Sequence, residues 1–175
     1  DINKCYADFS SDGRNFLYAL GAIKSVGFDS ISKIVEERNN NGEFKDLTDF
    51  INRVNPKDIN KLQLEGLVKA GAFDSLNSNR QSLYNSIPNI ILKSKNIFEN
   101  NSVNQIDLFK EESDTTYIEN IKDWNIDVRL SKEFETLGFF ISDHALILYK
   151  SLFFQYNIIN YDEFNINENI LSSNI

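Results

Sequence analysis

The chain has 175 residues, 41% of them hydrophobic and 25% charged, which is enough apolar material for a packed domain and too much for a globally disordered chain. One cysteine (Cys5) and one histidine (His144) exclude an internal disulfide framework and a dense Cys/His metal site. The net charge of −8 runs against phosphate binding, but residues 1–98 carry 13 Lys and Arg against 12 Asp and Glu, whereas residues 99–175 carry 5 against 14. The acidity therefore belongs to the second part, and the first can still present a basic face. No apolar run reaches the roughly 18 residues of a membrane span and no signal peptide is evident, so a cytoplasmic protein without membrane contact is expected.

Residues 1–20 alternate weakly around Asp12-Gly13, which predicts a β-hairpin packed through Phe9, Phe16 and Tyr18. Residues 28–39 read as a helix, with Ile31, Ile34, Val35 and Arg38 on one face and Asn40, Asn41 and Gly42 stopping it. Asp46 is suited to cap a short helix with the stripe Leu47, Phe50, Ile51, Val54. The sequence NPKD at residues 55–58 predicts the start of the next helix, which continues through Leu64, Leu67 and Val68 and ends at Gly71. Ser78 and Gln81 suggest a capping box for a further helix through Leu83 and Ile87, with Pro88 kinking or restarting it. Residues 99–125 are polar, acidic and aperiodic and read as an exposed linker. Leu130, Phe134 and Leu137 then predict a helix at 128–137, and another is expected over 143–154. The Asn- and Ile-rich tail has no stop signal, as expected of a piece of a longer chain.

Three stretches carry chemistry. Residues 22–35, AIKSVGFDSISKIV, follow the plan of a helix-hairpin-helix: a tight turn exposes successive backbone N–H groups beside a helix start, which makes a site for one phosphate. Such a site reads backbone and not bases. Lys24, Ser25, Val26 and Gly27 form this turn, with Ser25 where the hairpin normally has glycine; an ordinary helical corner is the plainer alternative. Residues 62–83 repeat the plan around Gly71 and Ala72, with Arg80 opening the next helix, so two phosphate contacts across a duplex are conceivable. The third stretch is QIDLF: Gln105, Ile106, Asp107, Leu108 and Phe109. Adjacent apolar anchors in an acidic linker, preceded by a Gln amide, have the form of a short docking peptide, the alternative being a cluster folded back on the helices.

The order GAIKSVG, EFKDLTDFINRV, LVKAGAFDSLNSNR, QIDLF and KEFETLGFFISDHAL resembles the C-terminal part of the bacterial DNA polymerase III alpha subunit family over nearly the whole chain. The resemblance implies a mainly α fold: a tandem helix-hairpin-helix bundle with a small N-terminal β-hairpin and a C-terminal helical extension. It implies that residues 1–20 end a fingers region, 21–98 bind duplex DNA, 99–125 carry a clamp-binding pentapeptide, and 126–175 lead toward an oligonucleotide-binding barrel not included. Gln105, Asp107, Leu108 and Phe109 match the family's Gln-x-Asp/Ser-Leu-Phe pattern. The chain departs from the family at Ser25, usually Gly, and at Asp143-His144-Ala145, usually Gly-His-Pro. The implied partners are duplex DNA, the sliding clamp and other replicase subunits. The implied catalytic carboxylates and magnesium lie upstream, so neither catalytic residue nor cofactor is expected in these 175 residues. Other readings of the residues are a helix-hairpin-helix DNA repair protein, such as a glycosylase, and a structural interaction module.

Overall fold

The computed structural model describes residues 1–102 and 118–159; the pentapeptide at 105–109 lies outside them. Asp12 organises the first element, its carboxylate accepting from the amides of Arg14 and Asn15 at 2.9 and 2.7 Å. The turn joins two-residue strands, β1 (Ser10–Ser11) and β2 (Phe16–Leu17), paired antiparallel with Ser10 opposite Leu17. The hairpin is shorter than the sequence suggests because residues 1–7 pack on the bundle instead, with Ile2, Cys5 and Ala7 in its core. Ile2 is fully buried and its amide donates to the Ala72 carbonyl at 2.7 Å, while Asn3 exchanges two hydrogen bonds with the Phe44 backbone.

After a 3-10 turn at Leu20–Ala22, six α-helices follow among the described residues. α1 (Phe28–Asn41) buries Ile31, Ile34, Val35 and Arg38, the predicted face. The Arg38 guanidinium donates to the Ile2 and Cys5 carbonyls, both at 2.8 Å. α2 (Leu47–Arg53) is capped by Asp46 as expected. α3 (Lys61–Lys69) begins later than the NPKD reading places it. Asn55 turns its side chain onto the Lys57 amide and closes a turn, and Asn60 with Gln63 forms the capping box that starts the helix. α4 (Arg80–Ser102) is capped by Asn79 rather than Ser78, the Asn79 oxygen accepting from the Ser82 amide at 2.9 Å. It passes through Pro88 and gives up one ladder bond there.

α4 forms the centre of the bundle, with Leu83, Ile87 and Ile90 packed under α2 and α3. Phe50 links the layers, its ring edge-on to Phe44 at 5.0 Å and Phe73 at 5.1 Å. The chain returns at residue 118 along the start of α4, where the Ile121 carbonyl accepts from Asn79 and the Asp123 carboxylate from the Gln81 amide. α5 (Ile126–Leu137) then lies against α3 and closes at Gly138. Its buried face is Leu130, Glu133 and Thr136, while Phe134 of the predicted stripe is exposed. A 3-10 stretch (Ala145–Tyr149) and the short α6 (Lys150–Gln155) replace the single helix expected over 143–154, and neither buries a residue.

α3 ends in a turn that only glycine suits. Gly71 has φ +74°, its amide bonds Val68, and the Ala72 amide reaches back to Leu67 at 2.9 Å. A Cβ on Gly71 would stand 2.1 Å from Arg80 Nη2. Gly71→Ala is therefore expected to cost at least about 2 kcal/mol, combining the left-handed backbone with a displaced guanidinium; urea denaturation measures it.

Candidate nucleic-acid interface

The first hairpin rests on α3. Gly66 makes room for it: a Cβ there would meet the Lys24 carbonyl at 2.9 Å and Val26 at 3.1 Å. Val26 is buried and its amide closes the turn on the Ile23 carbonyl at 3.0 Å. Ser25 has φ 68°, the left-handed conformation that glycine ordinarily supplies, so the serine keeps the hairpin geometry at a conformational cost. Gly27 is the N-cap of α1 and offers no side-chain cap. Among the described residues the amides of Ser25, Gly27, Phe28 and Asp29 meet no acceptor. They lie together at the positive end of a 14-residue helix, with the exposed Lys24 beside them.

Two neighbours fix this turn. The Lys24 amide donates to the Thr136 carbonyl at 3.0 Å, which ties the hairpin to α5. Gln63 Nε2 donates to Ser30 Oγ at 2.9 Å, which ties the first turn of α1 to the capping box of α3. The nearby cations are partly committed: Lys33 pairs with Asp58, and Lys69 pairs with Glu135 at 2.8 Å while lying over the Tyr84 ring.

The second turn differs. The amides of Gly71 and Ala72 close the end of α3, Ala72 is buried, and neither N–H points to solvent as a donor. Arg80, read from the sequence as a phosphate contact, is 3% exposed. Its guanidinium grips Asp74 with two hydrogen bonds of 2.8 and 2.7 Å and donates to Glu133 at 2.7 Å. Glu133 is fully buried and also accepts from the amides of Ile141 and Ser142 and from the Ser142 hydroxyl. Two carboxylates hold Arg80 inside, so the contact assigned to it from the sequence is corrected to a structural one. His144 is likewise local, its Nδ1 accepting from the Leu146 amide at 3.1 Å. No group of His, Cys, Asp and Glu able to hold a metal ion occurs among the described residues, and no helix among them is long and apolar enough to cross a membrane.

Of the proposed contacts, the structure brings Lys24, Ser25, Val26 and Gly27 into one turn, with Gly71 and Ala72 about a turn and a half further along α3. Sequence reasoning missed Gln63, Thr136 and Glu133 as supports. Gln63 was detectable as the third residue after Asn60, whereas the other two depend on contacts distant in sequence.

A helix-hairpin-helix motif pattern matches residues 1–83. The chain is 39% identical over 167 residues to a DNA polymerase III subunit alpha of Rickettsia prowazekii, covering 91% of this chain and 14% of that protein. The corresponding subunit of Campylobacter jejuni is 35% identical over 169 residues, 91% of this chain and 14% of its own length. That of Caulobacter vibrioides is 32% identical over 148 residues, 83% and 13%. The chain matches one stretch of the DNA polymerase III alpha subunit family. It spans about a seventh of the length of these relatives.

Burial pushes the Glu133 carboxyl up, but hydrogen bonds from Ser142 (hydroxyl and amide), the Ile141 amide and Arg80 outweigh it and hold the group below the ordinary glutamate value of 4.5. A lowered folded-state pKa adds stability at neutral pH that is lost as pH falls through the carboxylate range. The melting temperature of the chain is expected to fall on acidification from pH 6 toward about 3. Glu133→Gln should start lower at pH 7 and lose less over the same interval, as thermal unfolding at stepped pH would show.

Proposed function

We propose that this chain is the part of a replicative polymerase of the DNA polymerase III alpha type that holds primer–template duplex and docks on the sliding clamp. Residues 21–98 form the duplex-binding unit, residues 99–125 carry the clamp peptide, residues 1–20 and 126–175 connect to the rest, and the whole polypeptide works in the cytoplasm with other replicase subunits. Nucleotidyl transfer, with its magnesium ions, belongs to the longer polypeptide upstream, and the 175 residues serve binding alone. One observation carries the DNA reading: a left-handed turn at Ser25 leads straight into an uncapped helix whose first amides are open, inside the stretch that matches a helix-hairpin-helix motif. A phosphate seated there accepts from backbone N–H groups and meets the Lys24 ammonium, so every duplex sequence is bound alike. The amides of the turn at Gly71 and Ala72 are committed within α3, which reduces the contact to the single phosphate site at Ser25.

The clamp reading rests on the QIDLF sequence and the family match. Burying Leu108 and Phe109 in an apolar pocket contributes roughly 1.5–3 kcal/mol each before ordering costs. A contact of that size is modest alone and effective through tethering, because a clamp encircling DNA raises the local concentration of the weak phosphate site.

Duplex binding by the chain is expected to be weak and independent of sequence, with log affinity falling against log salt at a slope of about −1 to −2. Lys24→Glu should weaken it about tenfold and flatten that slope by about 1. Fluorescence anisotropy over a salt series decides the matter, and tight binding indifferent to salt would refute the phosphate site.

Leu108→Ala with Phe109→Ala should abolish binding to a purified bacterial sliding clamp in surface plasmon resonance and leave the melting temperature unchanged. If the double variant unfolds and the parent chain ignores the clamp, the pentapeptide is a core cluster.

A further inference from the structure

The hairpin at Ser25 borders a concavity of about 260 Å³. Lys24 and Ser25 line it from the hairpin, Gly66 and Lys69 from α3, and Glu135 and Thr136 from α5. Its charges are set against one another. Lys24 is exposed and makes no ion pair among the described residues. Lys69 donates to Glu135 at 2.8 Å, and Lys132 approaches the second oxygen of Glu135 at 3.5 Å. Glu65, also at the concavity, stands 3.7 Å from Lys61.

The partners in the Lys69–Glu135 pair are not equally fixed. The Lys69 side chain is 12% exposed and its ammonium lies 5.7 Å from the centre of the Tyr84 ring, so packing holds it where it is. The Glu135 side chain is 48% exposed, and its carboxylate meets only Lys69 and Lys132 among the described residues. Glu133, two residues earlier, shows the contrast: it is fully buried and four donors hold it. An ion pair with one half-exposed partner is weak and open to exchange. The hydrogen bond from Lys69 holds the Glu135 carboxyl below the ordinary glutamate value of 4.5, so the group is an anion at neutral pH. A phosphodiester oxygen offers the same ammonium an equivalent anionic acceptor.

We propose that Lys69 is a second phosphate-binding group of the duplex interface, and that Glu135 occupies its ammonium in the free protein until the neighbouring phosphate of the bound strand displaces it. The proposal rests on the reading of the Ser25 hairpin as a duplex contact and extends that contact along the backbone. In the exchange the Lys69–Glu135 pair breaks, a Lys69–phosphate pair forms, and Glu135 turns to solvent and to Lys132. Glu135 therefore acts as a brake: it is a competing anion that every duplex must dislodge.

Fluorescence anisotropy with a labelled duplex, at one fixed ionic strength, tests this on the 175-residue chain, with the melting temperature of each variant read alongside. Glu135→Gln is expected to tighten duplex binding about tenfold, the gain of one unopposed phosphate contact. Adding Lys69→Gln to that variant should cancel the gain, whereas adding Lys132→Gln or Lys69→Arg should keep it. Unchanged affinity in Glu135→Gln would overturn the proposal. A gain that survives Lys69→Gln would overturn it as well, by making Glu135 a diffuse repulsive charge. So would a gain lost with Lys132→Gln, which would assign the contact to the other lysine, or one lost with Lys69→Arg, which keeps the charge over the Tyr84 ring. Lys24→Glu separates this failure from that of the duplex reading. If it weakens binding while Glu135→Gln changes nothing, the hairpin contact stands and Lys69 is idle. If neither alters binding, both readings fall.

Discussion

The Arg80 guanidinium joins three parts of the chain that no periodicity relates: Asp74 in the turn after α3, Glu133 in the middle of α5, and the loop at Ile141 and Ser142 that Glu133 holds in turn. Taking these charges out of water is costly, and the arrangement is tolerable because nearly every hydrogen-bonding position of the cluster is filled. Arg80 makes hydrogen bonds to both Asp74 oxygens, to Glu133 and to the Lys69 carbonyl, and Glu133 meets four donors. The consequence is positional. With Glu133 locked, Thr136 one turn later presents its carbonyl to the Lys24 amide, and the hairpin at Ser25 acquires a fixed back wall. The open amides of that hairpin thus rest against a helix that a buried carboxylate, more than a hundred residues away in sequence, holds in place.

Much of this was legible in the sequence wherever the signal was local. The apolar spacing of α1, the Asp46 cap and the glycine end of α3 all form as read. The errors share a cause. Asn55 and Asn60 are equally good caps by composition, and the choice falls to Asn60 because only there does a glutamine three residues on reach back to the N-cap amide. Helical periodicity favours Phe134 over Glu133 as core because it weighs hydrophobicity and cannot see that the Arg80 guanidinium stands against position 133. The same blindness put Arg80 on the surface: an arginine opening a helix usually faces solvent, and its two carboxylates come from a turn and a distant helix. The pentapeptide was the plainest signal of all, but it lies outside the described residues, so its sequence alone speaks for it.

The two turns resemble each other in sequence and differ in what they leave unbonded. At Gly71 the chain bends back so that its amides complete the preceding helix. At Ser25 the turn precedes a helix, and the amides it presents have no carbonyls behind them to satisfy. Direction along the chain decides which turn can receive an anion: a helix offers donors where it begins and acceptors where it ends. For a chain of net charge −8, an amide site fed by one lysine also limits how strongly it can attract a polyanion without help.

Residues 1–7 are stitched into the bundle through partners far along the chain: the Ile2 amide to Ala72, Asn3 to Phe44, and the carbonyls of Ile2 and Cys5 to Arg38. The Ile2 amide and the Ala72 carbonyl it meets are seventy residues apart, so that bond cannot form until the whole of α1 to α3 has been synthesised. The first residues of this stretch thus complete their contacts only once α3 and the turn at Ala72 exist.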